Sequence, residues 1–468
     1  MADWIKSFTE SFPPESWSIE AEELNRYSSD AWPVVIKLRQ IGQTPYLPQL
    51  VFRPRFPQEV TQVLGWANQH RIPVTAWGAG SGVVGAALPT QGGILLDLLL
   101  LNKILIFDET NLLVKVQAGM MGHHLESELN SRGFTLNHSP QSLDRSTVGG
   151  WIATRACGQF SSRWGGIEDF SLALTIALAN GETITTRLAP RAAIGPDIKN
   201  LFIGSEGTLG VILDVTLKIF PVAETRLLET ISFPSVVSGL TGIRRLMQTG
   251  LRPFLVRFYD VDESLFVARW SRVTPPLNAN LFILGCEGLN DMVQAEYRAA
   301  MQILESEGGV KLGPQIAQGW MDHRFDFSGV ENRLAQPGGV AETIEVASLW
   351  DGILETYEAL KRDLSRFAEH VLGHFSHSYP QGVSLYIILL GEVADAKAAE
   401  SRLREIWDVA MRTSMEHGAV ISHHHGIGLA RQQYLRQELG SSYAVLEQVK
   451  NALDPEGILN PGKLAFRR

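Results

Sequence analysis

Gly78-Ala79-Gly80-Ser81-Gly82-Val83-Val84-Gly85 follows the apolar run Val74-Thr75-Ala76-Trp77 directly. Glycine at this density opens backbone conformations barred to other residues and leaves N–H groups uncovered by side chains. Residues Gly80 to Gly85 also satisfy the Gly-x-Gly-x-x-Gly pattern, which works in dinucleotide folds only where it opens a helix that receives a pyrophosphate. Here Pro89 and a second apolar run starting at Gly93 leave no room for that helix. A doubly wound nucleotide fold is thereby excluded. What remains is a loop between two strands, either a plain tight turn or a concavity of consecutive N–H groups that accepts an anion.

Residues 72–77, 93–98, 113–116, 172–177 and 211–220 read as strands, with helices at 57–70 and 121–132 between them. The pattern predicts an α+β domain over 47–222, preceded by a helical segment, 1–46, that includes residues 19–26. From 223 to 430, strands at 254–258, 281–285 and 384–390 alternate with long amphipathic helices at 292–307 and 393–417, predicting a second, α/β domain. Residues 431–468 read as a tail, helical up to Leu453 and irregular from Asp454. A chain of 468 residues, 45% hydrophobic and 19% charged, is too long for one core and too apolar for disorder, which fits the division.

Forty-one Lys and Arg against fifty Asp and Glu give a net charge of -9, which argues against nucleic acid as a partner. Cys157 and Cys286 match no metal or redox spacing, so a reducing compartment is expected and both thiols read as buried hydrophobes. Residues 1–14 lack the basic start and apolar run of a secretory signal. The most apolar stretch, 94–101, contains Asp97 and falls short of the roughly 20 residues a spanning helix needs. The expectation is a cytoplasmic chain with no transmembrane segment, with peripheral membrane contact and homodimerisation left open.

The glycine loop has company. Ser139-Pro140-Gln141-Ser142, Ser146-Thr147-Val148-Gly149-Gly150-Trp151 and Gly165-Gly166-Ile167-Glu168-Asp169-Phe170 form a second glycine-punctuated stretch, followed by Gly204-Ser205-Glu206-Gly207-Thr208-Leu209-Gly210 and, near the C-terminus, Leu459-Asn460-Pro461-Gly462-Lys463-Leu464. Together they resemble the FAD-binding domain of the vanillyl-alcohol-oxidase-like flavoproteins. The resemblance implies a two-part FAD-binding domain, a cap domain over the flavin, and a tail returning to the first domain. It implies that Gly78, Ala79, Gly80, Ser81 and Gly82 cradle the FAD diphosphate. Ser146, Thr147, Gly149, Gly150 and Ala153 would line the isoalloxazine and ribityl region, and Gly207 and Gly210 would lie near the adenosine. Trp77, Pro140, Ser142 and Glu206 complete the expected cofactor contacts. Any one of the glycines could instead serve only a turn. No matched position supplies a convincing histidine for covalent attachment, so the expected FAD is non-covalent.

Three features point to a subfamily. Ser422-His423-His424-His425-Gly426-Ile427-Gly428 sets three imidazoles in a row after an apparent strand, where an extended backbone would send His423 and His425 to one face and His424 to the other. The triplet is either a surface run or proton-exchanging machinery. Tyr386, within Ser384-Leu385-Tyr386-Ile387-Ile388, is either a core tyrosine or a functional hydroxyl. Arg257, inside the apolar run Leu255-Val256-Arg257-Phe258-Tyr259, needs a partner, either Asp260 or an anionic substrate. With Ala193-Ile194-Gly195-Pro196-Asp197-Ile198, these features resemble alkyldihydroxyacetonephosphate synthase over about residues 46–464. That resemblance implies that Tyr386, His423, His424, His425 and Arg257 are catalytic.

It also implies a reaction in which the acyl group of acyl-dihydroxyacetone phosphate is exchanged for a fatty alcohol through a flavin N5 adduct, without net redox change. The substrate is then small, phosphorylated and lipid-like. The alternative within the superfamily is an FAD-dependent D-2-hydroxy-acid dehydrogenase of the lactate or glycolate type, in which Arg257 would bind the substrate carboxylate. Those relatives carry His-x-Gly-Asp-Gly-Asn-Leu-His and Glu-His-Gly-Ile-Gly strings around a divalent ion. Here the corresponding residues read Tyr379-Pro380-Gln381-Gly382-Val383-Ser384-Leu385-Tyr386, and the glutamate position is His424. The expectation is an enzyme without a stoichiometric metal, although His377 beside the triplet leaves a nitrogen-rich zinc site open.

Overall fold

In the computed structural model, residues 3–269 and 273–466 are described; the extreme ends of the expected N- and C-terminal segments, 1–2 and 467–468, lie outside them. The first half of the chain builds two adjoining sheets. The smaller has four strands in the order Trp17–Ser18, Leu50–Phe52, Ile94–Asp97, Val74–Trp77, and its last three run parallel. Parallel neighbours need a covered crossover. The helix Pro57–His70 crosses between Leu50–Phe52 and Val74–Trp77, which flank Ile94–Asp97, and buries Val60, Val63, Leu64 and Ala67 against the sheet. The larger sheet is antiparallel, in the order Ile104–Asp108, Leu113–Gln117, Val211–Lys218, Ser171–Ala177, Thr183–Thr185. Between the 74–77 and 94–97 strands the chain is irregular, as the absence of room for a helix requires.

The segment 1–46 is helical at Asp3–Ser11, Ala21–Arg26 and Pro33–Gln40, but it also contributes the edge strand Trp17–Ser18, paired with Leu50–Phe52. The helix Pro33–Gln40 docks on the distant helix Ala396–Glu416, so this segment bridges both halves.

The second half is a seven-stranded sheet in the order Val310–Gly313, Thr225–Phe233, Asn280–Gly288, Leu255–Tyr259, His370–Ser378, Gly382–Glu392, Gly339–Leu349, antiparallel throughout. Alternation along each strand sorts its side chains between two faces. Val256, Phe258, Phe375, Val383, Leu385, Ile387, Ile344 and Val346 pack into a core beneath the helices Val236–Gln248, Asn290–Ser306, Ile353–Leu364 and Ala396–Glu416. Arg257, His374, Tyr386 and Glu345 have the opposite parity and face the other way. The C-terminal part is not one helix to Leu453: Gly440, at φ +53°, separates Gly428–Leu439 from Ser442–Leu453. No helix among the described residues is long and apolar enough to cross a membrane.

Candidate active site

Register places four polar residues in one row across the seven-stranded sheet: Tyr259 opposite His374, His374 opposite Tyr386, and Tyr386 opposite Glu345. The His374 and Tyr386 rings stack with centroids 4.8 Å apart. Arg257, one alternation along from Tyr259, is buried on the same face. Its Nε donates to the Tyr259 hydroxyl (2.8 Å), and one terminal nitrogen donates to His374 Nε2 (2.8 Å). A guanidinium can only donate, so His374 Nε2 is the acceptor and Nδ1 carries the proton. That proton goes to Glu263, whose oxygens lie 2.8 and 3.0 Å away. Burial, helped by Arg257, holds His374 neutral. Burial pushes Glu263 up to about 8, against the pull of Arg257 and Lys361.

Arg257 does not pair with Asp260. That carboxylate caps the helix Val261–Ala268 at Glu263 N and binds Tyr357 (3.0 Å) and Lys361 (2.8 Å). Alternation along the chain puts Asp260 on the helix-covered side with Phe258, opposite Arg257, where Tyr357 and Lys361 of the helix Ile353–Leu364 meet it. The guanidinium, stacked 5.0 Å over Trp320, forms no ion pair with a carboxylate among the described residues. Glu263 compensates it only through the intervening imidazole.

The histidine triplet does not lie on a strand. Residues 422–428 form a bent loop, and the expected split of His423 and His425 from His424 fails. His423 and His424 both pack on His377, at centroid distances of 4.9 and 4.8 Å, while His425 lies 4.5 Å from His424 and edge-on to Tyr386 at 5.6 Å. The physical reason is a carboxylate that curls the backbone: Glu345 accepts N–H groups from all three histidines. His424 thus has a carboxylate beside it after all, brought by another strand. Burial drives the imidazoles of His423 and His424 down to about 3 and that of His425 to about 4. All three are neutral bases at neutral pH.

His377 sits at a bulge in its strand with φ +51°, which turns its ring toward the triplet; its Nδ1 meets Ser161 Oγ at 2.6 Å. Tyr379 O–H and His423 Nε2 are 2.9 Å apart, and His423 Nδ1 and His424 Nδ1 are 2.9 Å apart. Each contact holds one proton. A proton delivered from Tyr379 to His423 therefore passes one on from His423 to His424, and the reverse order is the only other arrangement. Cys157 Sγ lies 3.9 Å from the same hydroxyl, its thiol pushed up to about 12 by burial and so kept unreactive. Two donor sets, Cys157 with His377 and His423, and Glu345 with His423 and His424, bring ligand atoms within 4.8 Å of one another.

The expected cofactor residues converge beside this face. The backbone N–H groups of Gly78 to Gly82 meet no acceptor among the described residues, leaving five consecutive donors for an anion, as a diphosphate requires. Ser139 Oγ is buried and equally unpartnered next to Pro140. A Cβ on Gly78 would strike Thr147 Oγ1, and one on Gly207 would reach Ala76 at 3.8 Å, so the three glycine segments meet. Ala153 O accepts from Glu206 N at 2.8 Å. Thr147 caps the short helix Val148–Thr154 through Gly150 N (3.2 Å), while Ser142 O accepts from Ser146 Oγ (2.7 Å), which in turn receives Trp151 Nε1 (2.7 Å). The residues fit the group.

Not every glycine faces it. Gly80 is needed for its φ of +68° and for the Trp77 ring packed against it; Gly149 and Gly210 are required by packing on Ala118 and on Ile176 and Phe202. Glu206 directs its carboxylate to the histidine loop rather than to the glycine segments. Sequence reasoning missed Glu345, Glu263, His374, Ser161 and Arg431.

Residues 48–187 match the family model described as FAD binding domain, and residues 223–464 that of FAD linked oxidases, C-terminal domain. The chain belongs to the FAD-linked oxidases. It is 27% identical to an alkyldihydroxyacetonephosphate synthase of Dictyostelium discoideum over 92% of this chain and 75% of that protein. It is 26% identical to the glycolate oxidase subunit GlcD of Bacillus subtilis over 94% of this chain and 91% of that one. A solved alkyldihydroxyacetonephosphate synthase structure superposes with a TM-score of 0.83 at 22% identity, covering 98% of this chain and 84% of that one. The protein is an FAD-dependent enzyme with the vanillyl-alcohol-oxidase-type fold.

Proposed function

We propose that this enzyme exchanges the acyl group of acyl-dihydroxyacetone phosphate for a fatty alcohol. The observation that carries the reading is Arg257: a buried cation with no carboxylate partner among the described residues, on the same face as Tyr386 and oriented by His374. Such a group favours an anion, and a phosphate suits its planar donors. In this reading residues 47–222 hold FAD through Trp77 to Gly82, Pro140, Ser142, Ser146, Thr147, Gly150, Ala153 and Gly207, residues 223–430 cap it, and the tail 431–468 returns to it. Bound FAD supplies the electrophilic centre.

The chain's own groups handle protons. Burial raises Tyr386 above the ordinary phenol value, so its hydroxyl stays protonated and serves the departing carboxylate as a donor. The neutral imidazoles accept the C1 proton and the proton of the incoming alcohol; one proton returns to C1 and the other leaves with the fatty acid, so the exchange balances without an oxidant. The Tyr379–His423–His424 chain moves protons to and from the reacting carbon.

The 26% identity to a glycolate oxidase subunit favours a second reading, oxidation of a 2-hydroxy acid held by Arg257 through its carboxylate. Anaerobic mixing with acyl-dihydroxyacetone phosphate and a fatty alcohol, beside a panel of hydroxy acids, separates the two. The proposal expects an ether product, oxidised flavin at the end, no stoichiometric metal and full activity after chelation. Flavin bleached by a hydroxy acid with no ether formed, and activity lost to chelator and restored by zinc or manganese, would establish the second.

A further inference from the structure

Residues 422–428 carry three imidazoles of the site, yet belong to no helix or strand until Gly428 begins one. Their backbone is held by two buried carboxylates from opposite parts of the chain. On the seven-stranded sheet, Glu345 Oε1 accepts from Ser422 Oγ (3.0 Å), His425 N (3.0 Å) and Arg431 (2.9 Å), and Oε2 accepts from His423 N and from His424 N (3.2 Å). In the glycine segment before the strand Val211–Lys218, Glu206 Oε1 accepts from Ile427 N (2.6 Å), and both its oxygens approach Gly428 N (3.1 and 3.0 Å). Of the six N–H groups from 423 to 428, five point at one carboxylate or the other. The Gly426 carbonyl takes Arg431 at 2.7 Å, so the same arginine that neutralises Glu345 closes the loop between the two anions.

We infer that Glu345 and Glu206 are paired positioning residues that set the histidine loop from both sides. Several details agree. Gly426 has φ +83°, and a Cβ there would meet Glu206 Oε1 at 2.6 Å, so the backbone comes as near the carboxylate as glycine permits. Glu206 is itself fixed in a left-handed conformation (φ +51°), its N–H on Ala153 O and its carbonyl on Asn460 Nδ2 (2.7 Å). It therefore ties the loop to the segments that line the cofactor, while Glu345 ties it to the row carrying Tyr386. Charge-assisted bonds to backbone N–H are stronger than neutral ones, and a displacement of about 1 Å in a proton-transfer group costs roughly 10²-fold in rate.

The test uses the full-length holoenzyme, and its kinetic arm rests on the proposed reaction. Glu345→Gln and Glu206→Gln keep the shape but turn one oxygen into a donor facing other donors. Hydrogen exchange followed by mass spectrometry should accelerate about tenfold or more over 422–428 in each variant. Exchange elsewhere and flavin content should stay at the wild-type level. Kcat should fall by about 10²-fold with KM nearly unchanged. Glu345→Asp, which keeps the charge, should recover part of both losses. Should either glutamine variant fail to fold, Gly426→Ala, which forces the loop off Glu206 without altering any charge, must still accelerate exchange at 427–428. Unchanged exchange in the folded variants, or KM rising with kcat constant, overturns the inference. A wild-type enzyme inert toward acyl-dihydroxyacetone phosphate would sink the proposed reaction, yet the exchange result would still decide the clamp.

Discussion

His138 offers a quantitative test of how this interior treats charge. It lies beside Ser139 and Pro140, is 2% exposed, packs against Trp151 (4.8 Å) and Phe170 (5.5 Å), and has no partner among the described residues on either ring nitrogen. Burial holds its pKa at about 3, against an ordinary 6.5. The folded-state value is depressed, so the unfolded chain binds more protons between those limits and acid destabilises the fold. At pH 7 the effect is about 0.2 kcal/mol; at pH 5, RT ln(1 + 10^1.5) gives about 2 kcal/mol. His138→Phe keeps an aromatic ring between Trp151 and Phe170 and removes the titration. Urea unfolding of both proteins, in the same flavin state, should give a wild type that loses about 2 kcal/mol more than the variant between pH 7 and pH 5, whatever their difference at pH 7. Parallel losses would refute the argument, because they would mean that His138 takes its proton equally readily in the folded state.

Arg257→Ala should lower kcat/KM by about 10³-fold while flavin content holds, and Arg257→Lys should recover only part, since one ammonium cannot serve Tyr259, His374 and a substrate anion together; a variant fully active per folded molecule would make the residue structural. Tyr386→Phe should slow turnover by roughly 10²-fold with little change in KM, and an unchanged rate would remove the hydroxyl from the chemistry. Gly80→Val, which forces a β-branched residue into φ +68° against the Trp77 ring, should weaken FAD retention and also lower the thermal midpoint by several degrees; loss of flavin with no change in midpoint would place the side chain in the cofactor's path instead. Heat or acid should release FAD intact, read by absorbance of the supernatant after precipitation, and colour that stays with the pellet would reveal a covalent bond.

The glycine loop was legible because chain length alone forbade a helix after it. Tyr386 and Arg257 stood out because each interrupts an apolar run. The strands that frame them were harder. Gly339–Leu349 carries Glu342 and Glu345 among its apolar residues, and His370–Ser378 carries His370, His374 and His377, so both read as polar. In fact Glu342 receives Trp407 Nε1 at 2.8 Å on the helix-covered face, and Glu345 faces the site; a strand buried on both sides with polar partners on each has no simple hydrophobic alternation. The shape of the triplet was beyond local reading. Its curl is imposed by Glu345 and Glu206, 78 and 221 residues earlier, and only long-range pairing brings them to it.

The histidine loop also dictates an order of assembly. Its anchors come from residues 206, 345 and 431, and Glu206 is fixed in turn by Asn460, 35 positions beyond His425. A nascent chain emerging from the ribosome can therefore complete the sheets of its first half, and most of the seven-stranded sheet, well before the imidazoles have anything to hold them. Contacts at such sequence separation close late. The sheets can therefore form before the histidine loop is set, because the loop takes its shape only once residues 431 and 460 have joined it.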